Sequence, residues 1–325
     1  MNYSGRVSVI IITYNHLDYI TEAIESAIAQ DYNNKEIIVA DDGSDDGTQV
    51  IVREYANRYP GLIIQSLSKN NTGIAENFNR GLSHATGEFI AWLGGDDIML
   101  PGKLSAQVSL LKQRSDAVGS YHDAEVFEWP GNKVLGRFSE LYGVGRGKVP
   151  DIDVIEFLKP KTQLLPSAMM VRRDCIPTGG FDVRLRFAND YLFDFLTLVN
   201  GGFFVGSDKV LVRYRKHQSN IGRQSKWSQL ISEENHMALA IIDSRYPHLA
   251  SSTSRRRQYY AVNEAIQSLR TSDNKRFRGM CSLVWHSGAK FRAAGVYLIG
   301  PLVVGLLFGS KGQKIRYLLR RIFFY

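Results

Sequence analysis

Four short apolar runs, Val7–Thr13, Glu36–Ala40, Leu62–Ser66 and Glu88–Leu93, recur within the first hundred residues, and a helical pattern fills each gap between them. The runs are of strand length and are bounded by turn-forming residues. In the first gap, Leu17–Gln30 sets Ile20, Ala23, Ile24, Ala27 and Ile28 on one helical face. Thr48–Tyr59 reads as a second helix, with Gly47 or Thr48 near its cap and Pro60 stopping it. Gly73–Ala85 reads as a third. Alternation of this kind indicates a parallel sheet covered by helices on both faces. The expected fold class is therefore α/β.

The texture changes after a further helix from Pro101 to about Gln113. Strands are expected at Ala117–Phe127, Ala168–Arg172 and Val210–Tyr214, and a helix at Asn189–Val199, with a Gly-rich loop, mobile or acceptor-facing, over 131–147. Ser228–Arg270 reads as mostly helical. The natural divisions are residues 1–113, 114–225 and 226–325.

With 44% hydrophobic and 11% aromatic residues, the chain has enough apolar material to exclude disorder. A strand-like run begins at Val7, so a secretory signal is not expected. Cys175 and Cys281 lie far apart without metal-ligand spacing, and read as unpaired thiols in a reducing compartment rather than as a disulfide. The net charge of +8 is uneven: residues 251–325 hold 14 Lys/Arg against 2 Asp/Glu, and the rest 26 against 30. A mildly acidic body thus carries a strongly basic tail, which attracts polyanions.

The chemistry concentrates at strand ends. Phe89–Leu93 runs into Gly94-Gly95-Asp96-Asp97, where two small residues permit close approach of a ligand to the backbone. Open α/β sheets bind ligands at the carboxyl ends of their strands. Paired carboxylates at that place suit a hard divalent cation and a phosphate-bearing substrate. The second strand ends similarly, in Asp41-Asp42-Gly43-Ser44-Asp45-Asp46-Gly47-Thr48, which alone also reads as a tight acidic turn. Thr13-Tyr14-Asn15 closes the first strand with a hydroxyl, a ring and an amide, or with an ordinary strand-to-helix turn.

Together these pieces resemble, over residues 7–104, the nucleotide-binding half of the family 2 glycosyltransferases. The matching segments keep the family's order and spacing: Val7-Ser8-Val9-Ile10-Ile11-Ile12-Thr13-Tyr14-Asn15, Asp41-Asp42-Gly43-Ser44, Asn71-Thr72-Gly73 with Asn79 and Gly81, and Gly94-Gly95-Asp96-Asp97. The resemblance implies a GT-A fold, a Rossmann-like and mostly parallel sheet. It implies that Asp41 and Thr13-Tyr14 contact the base, usually uracil, and that Asp96 reaches the ribose. Asp97 would hold Mg2+ or Mn2+ against the diphosphate. Asn15, Asp42 and Asn79 belong to the same donor-binding set. Two departures stand out. Gly94 replaces an acid that many members carry, and Phe78 replaces an Arg that many members carry, so that one phosphate contact is either missing or supplied by another residue such as Arg80 or Lys103.

In the second half, Gly179-Gly180-Phe181-Asp182 and then Phe187-Ala188-Asn189-Asp190-Tyr191 match the segment that supplies the family's base, at Asp190. The familiar preceding acid is Asn189 here. Taken alone, Asp190 also reads as a first-turn acid stabilised by the helix dipole. Asp182 reads as a turn residue, and Asp194 as a solvated or packing position. Tyr214-Arg215-Lys216-His217-Gln218-Ser219-Asn220 resembles a late Arg-x-His segment, which implies His217 in the metal shell and Arg215 or Lys216 near the leaving diphosphate. A solvated loop histidine is the other reading.

The resemblance therefore implies an inverting, metal-dependent transfer of a hexosyl or N-acetylhexosaminyl group from a nucleotide-sugar donor, a UDP-sugar above all. The implied acceptor is a saccharide or lipid-linked saccharide, as in assembly of a bacterial surface polysaccharide such as O-antigen. A catalytically idle sugar-nucleotide or polysaccharide-binding protein stays open. A nucleotidyltransferase is weaker, because the N-terminal region lacks a Gly-rich triphosphate loop. Ala293–Gly309 is a run of 17 uncharged residues with Lys or Arg on both sides. It favours a segment lying in the interface of an anionic membrane over a buried helix or a true span, and so a peripheral or monotopic protein at the cytoplasmic face of the inner membrane. No nucleic-acid module is recognisable in the basic stretch.

Overall fold

The computed structural model describes residues 5–142, 148–220, 224–270, 280 and 282. The apolar run 293–309, Cys281 and the basic cluster at 275–278 lie outside the described residues. The chain divides into two compact units, Met1–Phe157 with Lys161–Ser228, and Leu158–Pro160 with Gln229–Tyr325.

The first unit opens as β1 (Val7–Thr13), α1 (Ile20–Ile28), β2 (Lys35–Asp41), α2 (Thr48–Arg58), β3 (Ile63–Leu67), α3 (Ile74–His84), β4 (Phe89–Gly94), β5 (Ile98–Met99) and α4 (Lys103–Gln113). It continues through β6 (Gly119–Glu128), β7 (Lys133–Arg137), α5 (Phe138–Tyr142), β8 (Ile152–Asp153), α6 (Val154–Phe157), β9 (Met169–Arg172), α7 (Asn189–Leu198) and β10 (Phe203–Lys216). The strands form one sheet in the order β3-β2-β1-β4-β9-β6-β10-β5, with β7 on β6 and β8 on β10.

β1, β2, β3 and β4 pair in parallel, as the alternation requires. Side chains alternate across a strand. Val7, Val9, Ile11, Ile37, Val39, Phe89, Ala91 and Leu93 therefore enter one buried cluster, with Ile20, Ala23, Ile24 and Ala27 of α1 and Leu104, Val108 and Leu111 of α4. On the opposite face α3 lies so close that a Cβ on Gly81 would fall 2.6 Å from Ile10 Cγ2. The tight seat of this helix fixes the turn that precedes it.

The remainder of the sheet is mixed: β9 is antiparallel to both β4 and β6, while β6 and β10 are parallel. The Gly-rich stretch expected as a loop contains an edge strand and a short helix, since β7 pairs antiparallel with β6 and α5 follows it. Residues 143–147 of that stretch lie outside the described residues.

The second unit contains α8 (Ser228–Arg245) and α9 (Ala250–Arg270). Glu264 of α9 accepts from Ser232 and lies 2.9 Å from His236 Nε2 of α8. The Arg255-Arg256-Arg257 triplet does not form one cationic face. Successive helical residues point about 100° apart. Arg256 is buried and donates to the Lys159 carbonyl, Arg257 pairs with Asp243, and Arg255 is exposed. Among the described residues no helix is long and apolar enough to cross a membrane.

Candidate active site

The parallel register sets Thr13 of β1 beside Asp41 of β2, and Ile12 beside Gly94 of β4. Three motif-bearing strand ends thereby open onto one edge of the sheet. The Gly95 N–H donates to the Ile12 carbonyl at 2.8 Å and the Asp42 N–H to the Thr13 carbonyl at 3.0 Å, stitching the turns together.

The acid pair is divided by its surroundings. Asp97 is buried; its Oδ2 accepts from Ser167 Oγ at 2.6 Å and its Oδ1 from the Arg215 N–H at 3.0 Å. Asp96 is partly exposed, and its Oδ2 lies 2.9 Å from His217 Nε2 and 3.2 Å from Asn220 Nδ2. Burial works to raise the Asp96 carboxyl, but His16 and the hydrogen bond from His217 outweigh it and hold the group below its ordinary value. Burial and the adjacent Asp96 charge push Asp97 well above its own. Two neighbouring carboxyls in one buried site share their protons, with one ionised first.

A Cβ on Gly94 would fall 2.7 Å from Asp96 Oδ1 and 3.2 Å from Asp97 Oδ2, so the pair already fills the space that an acid at 94 would claim. At Gly95 a Cβ would fall 2.8 Å from Thr13 Oγ1 and 3.0 Å from His16 Nδ1. Those two atoms are buried and have no hydrogen-bond partner among the described residues. Burial lowers the His16 imidazole, against the opposing pull of the Asp96 charge.

The other expected donor residues split into ligand-facing and supporting positions. Tyr14 is exposed beside the site. Asn15 takes a left-handed conformation, φ 53°, that Asn tolerates; its Oδ1 accepts from the Asp45 N–H and its own N–H donates to Ser44 Oγ. Asp41 is fully buried, accepting from the Gly43 and Ser44 N–H groups and from Gln49 Nε2. Asp42 clasps the next turn, accepting from the Thr72 N–H and hydroxyl and from the Gly73 N–H. Asn79 binds both backbone groups of Phe181, each at 2.8 Å, and so holds the loop that leads to Asp190.

That loop ends in α7, whose first turn presents Asp190. Phe193, one turn on, stacks on Phe181 at 4.1 Å, and both rings abut Trp92 of β4. Phe78, which stands where the family carries an Arg, belongs to the same stack, 4.3 Å from Phe181. The helix bearing Asp190 is thus packed on the strand that ends in the acid pair. Burial pushes the Asp190 carboxyl up to about 6, against the Tyr191 N–H that its Oδ1 accepts at 2.7 Å. Asp194, expected as a solvated or packing position, is buried, and burial together with Asp190 pushes it well up. Asp182 is the expected turn residue, ion-paired with Arg184.

The sequence model of glycosyl transferase family 2 matches residues 8–163. That segment carries the family's domain. An uncharacterized glycosyltransferase of Rickettsia typhi is 28% identical over 307 residues, which cover 87% of this chain and 89% of that one. A second, from Rickettsia prowazekii, is 32% identical over 199 residues, 58% of this chain and 57% of its own. Among solved structures, S. aureus TarS 1–349 in complex with UDP-GlcNAc gives a TM-score of 0.67 at 19% identity, covering 91% of this chain and 86% of that chain. At this identity the likeness carries the fold, and the fold is GT-A. Asp190 and His217 fall beyond the matched segment.

In this glycosyltransferase the acid pair suits a metal that arrives with its substrate. Mg2+ takes one or two carboxylates and completes its shell with phosphate oxygens and water. Asp96 and Asp97 supply that much. Among the described residues no three or more His, Cys, Asp or Glu side chains form a protein-only cage. His217 does not stand beside Asp97 as expected. Its Nε2 meets Asp96 and its Nδ1 lies 2.7 Å from Ser219 Oγ. Arg215 is also a correction. It is buried, donates to the Asp96 carbonyl at 2.7 Å and pairs with Glu22, so it braces the pair rather than reaching a diphosphate. Ser167, which precedes β9, was invisible in sequence; nothing local connects it to Asp97.

Neither cation nominated for the phosphate is free. Arg80 donates to the Asp41 carbonyl and to Asn77 Oδ1. Lys103 is wholly buried with Nζ 2.9 Å from Gln107 Oε1, and burial brings its ammonium from 10.5 down to about 7. The folded state therefore binds fewer protons than the unfolded chain between these two values. That penalty is fullest below pH 7 and fades as pH rises toward 10.5. Lys103→Met is expected to stabilise the protein at neutral pH by about 2 kcal/mol, net of the lost Gln107 contact. The gain should shrink in alkaline buffer. A lowered unfolding midpoint at neutral pH would show instead that the ammonium is stably accommodated.

Proposed function

We propose that this glycosyltransferase transfers a hexosyl or N-acetylhexosaminyl group from a UDP-sugar to a saccharide hydroxyl, inverting the anomeric centre. The observation that carries the reading is the convergence of three strand ends on an acid pair, beside the buried Thr13 Oγ1 and His16 Nδ1. Tyr14 offers its exposed ring to the base, with Asn15 and the Asp41 turn shaping that pocket, and Asp96 meets the ribose. Asp42 and Asn79 act by holding the surrounding turns. Mg2+ or Mn2+ held by Asp97 offsets charge on the departing diphosphate. Asp190 removes the acceptor's proton as its oxygen attacks the anomeric carbon, and the bond to the diphosphate breaks with its electron pair leaving on the diphosphate. A solved TarS structure with UDP-GlcNAc on a similar fold supports a UDP-sugar donor.

The acceptor in this reading is lipid-linked, at the cytoplasmic face of the inner membrane, as in surface polysaccharide assembly. The basic excess of residues 251–325 and the uncharged run 293–309 support it. A thermal-shift screen of UDP-, GDP- and TDP-sugars with Mn2+ tests the donor. A ligand at about a hundred times its Kd stabilises the fold by about 2.7 kcal/mol. UDP-sugars should give the largest shift and require the metal. A flat response to every nucleotide sugar would remove the donor site.

A further inference from the structure

We infer that the acceptor saccharide carries an anionic group, a carboxylate or a phosphate, received by Arg186 and Lys226 around the ring of Trp227. The inference rests on the acceptor half of the function proposed above. Four residues before the base, the Arg186 guanidinium lies 4.7 Å from the centroid of Trp227. The Lys226 ammonium lies 5.1 Å from the same ring, and Phe187 packs against it at 5.3 Å. Both cations are exposed, and neither meets a carboxylate among the described residues. Their neighbour Arg184 shows the contrast, because Asp182 two residues earlier neutralises it.

A guanidinium laid over an aromatic ring keeps its planar N–H edges turned outward, set for two parallel bonds to a carboxylate or phosphate. The ring holds the cation in place without cancelling its charge, as a carboxylate would. The Asn189 amide donates to the Arg186 carbonyl at 2.8 Å, tying this residue to the first turn of α7, which presents Asp190. The cation cluster therefore stems from the segment that leads into the Asp190 turn. Arg186 also lines a cavity of about 280 Å3 with Asn71–Glu76, Val183 and Leu185. Glu76 makes that cavity unsuitable for a second negative charge, which places the anion on the Trp227 side of Arg186.

The test uses the full chain and three matched probes: a neutral disaccharide, the same disaccharide ending in a uronic acid, and the same disaccharide carrying a phosphate. Affinities are measured by titration calorimetry with UDP and Mn2+ present. One acidic probe should bind at least about tenfold more tightly than the neutral one. Which of the two wins names the source of the charge, and the preference should fall as salt rises. The double variant Arg186→Gln, Lys226→Gln should lose the preference, and Arg186→Lys should keep part of it. Equal binding of all three probes, or a preference that survives the double variant, overturns the proposal. So does an equal loss of UDP affinity in that variant, which would assign the cluster to the donor. Absence of UDP affinity in the wild-type chain would instead remove the donor reading and is scored separately.

Discussion

Asp190→Asn is expected to lower kcat for sugar transfer by about 10³-fold, with the Kd of the nucleotide sugar changed less than about twofold. Asn preserves shape and can still accept the Tyr191 N–H, but it cannot take the acceptor's proton. The wild-type carboxyl sits at about 6. Its active form is the carboxylate, so transfer should fall as pH drops through 6 and level off above it, and the variant should lack that acid limb. Stability supplies the control. The folded carboxyl binds protons more readily than an unfolded one at 3.8, so its ionisation costs stability above pH 6. The Asn variant should be at least as stable as the wild type at pH 8, and its lost activity could not then be blamed on unfolding. Near-normal transfer by the variant would assign the base elsewhere.

The second large effect concerns the metal. Asp97→Asn should reduce metal-dependent turnover by about 10³-fold and abolish the saturation of rate with Mn2+. The site tolerates the change. The amide oxygen can keep the Arg215 N–H, and the Ser167 hydroxyl, now a donor to Asp97, can turn and accept from the new NH2. Asp96→Asn should act differently. It leaves His217 facing an amide and should weaken UDP binding more than it alters the metal response. If Asp97→Asn kept an unchanged Mn2+ titration, the cation would be held by other groups.

The parallel half was legible because its strands are buried on both faces. Runs such as Val7–Thr13 are apolar at five of seven positions and buried on both faces, and the intervening helices show one apolar face each. Alignment of Thr13 with Asp41, and of Ile12 with Gly94, follows once those strands pair in parallel. The other half was harder. β9 enters the sheet between β4 and β6 from far along the chain, and no local pattern encodes such a pairing. β10 begins at Phe203, before the expected strand at Val210, because register shifts between Ser207 and Val212 interrupt its alternation.

Within the site, types of residue were readable but orientations were not. Adjacent Asp96 and Asp97 reveal nothing in sequence of which meets His217 and which meets Ser167. Lys103 is a candidate for a phosphate contact in sequence, yet α4 turns it into the interior. Asp41, Asp42 and Asn79 were identified as polar groups near a ligand, and the structure shows their hydrogen bonds made to the protein's own turns. His16 escaped notice because a lone histidine after a strand carries no pattern; only its unpartnered, buried Nδ1 singles it out.

Release of the nucleoside diphosphate decides the central claim most directly. The full chain is incubated with each UDP-sugar and Mn2+ and a membrane fraction as acceptor, and free UDP is measured for the wild type, Asp97→Asn and Asp190→Asn. Metal-dependent release that both substitutions suppress is the result expected. Tight nucleotide-sugar binding with no UDP released from any donor, with or without acceptor, would contradict it and leave a binding protein on a glycosyltransferase scaffold.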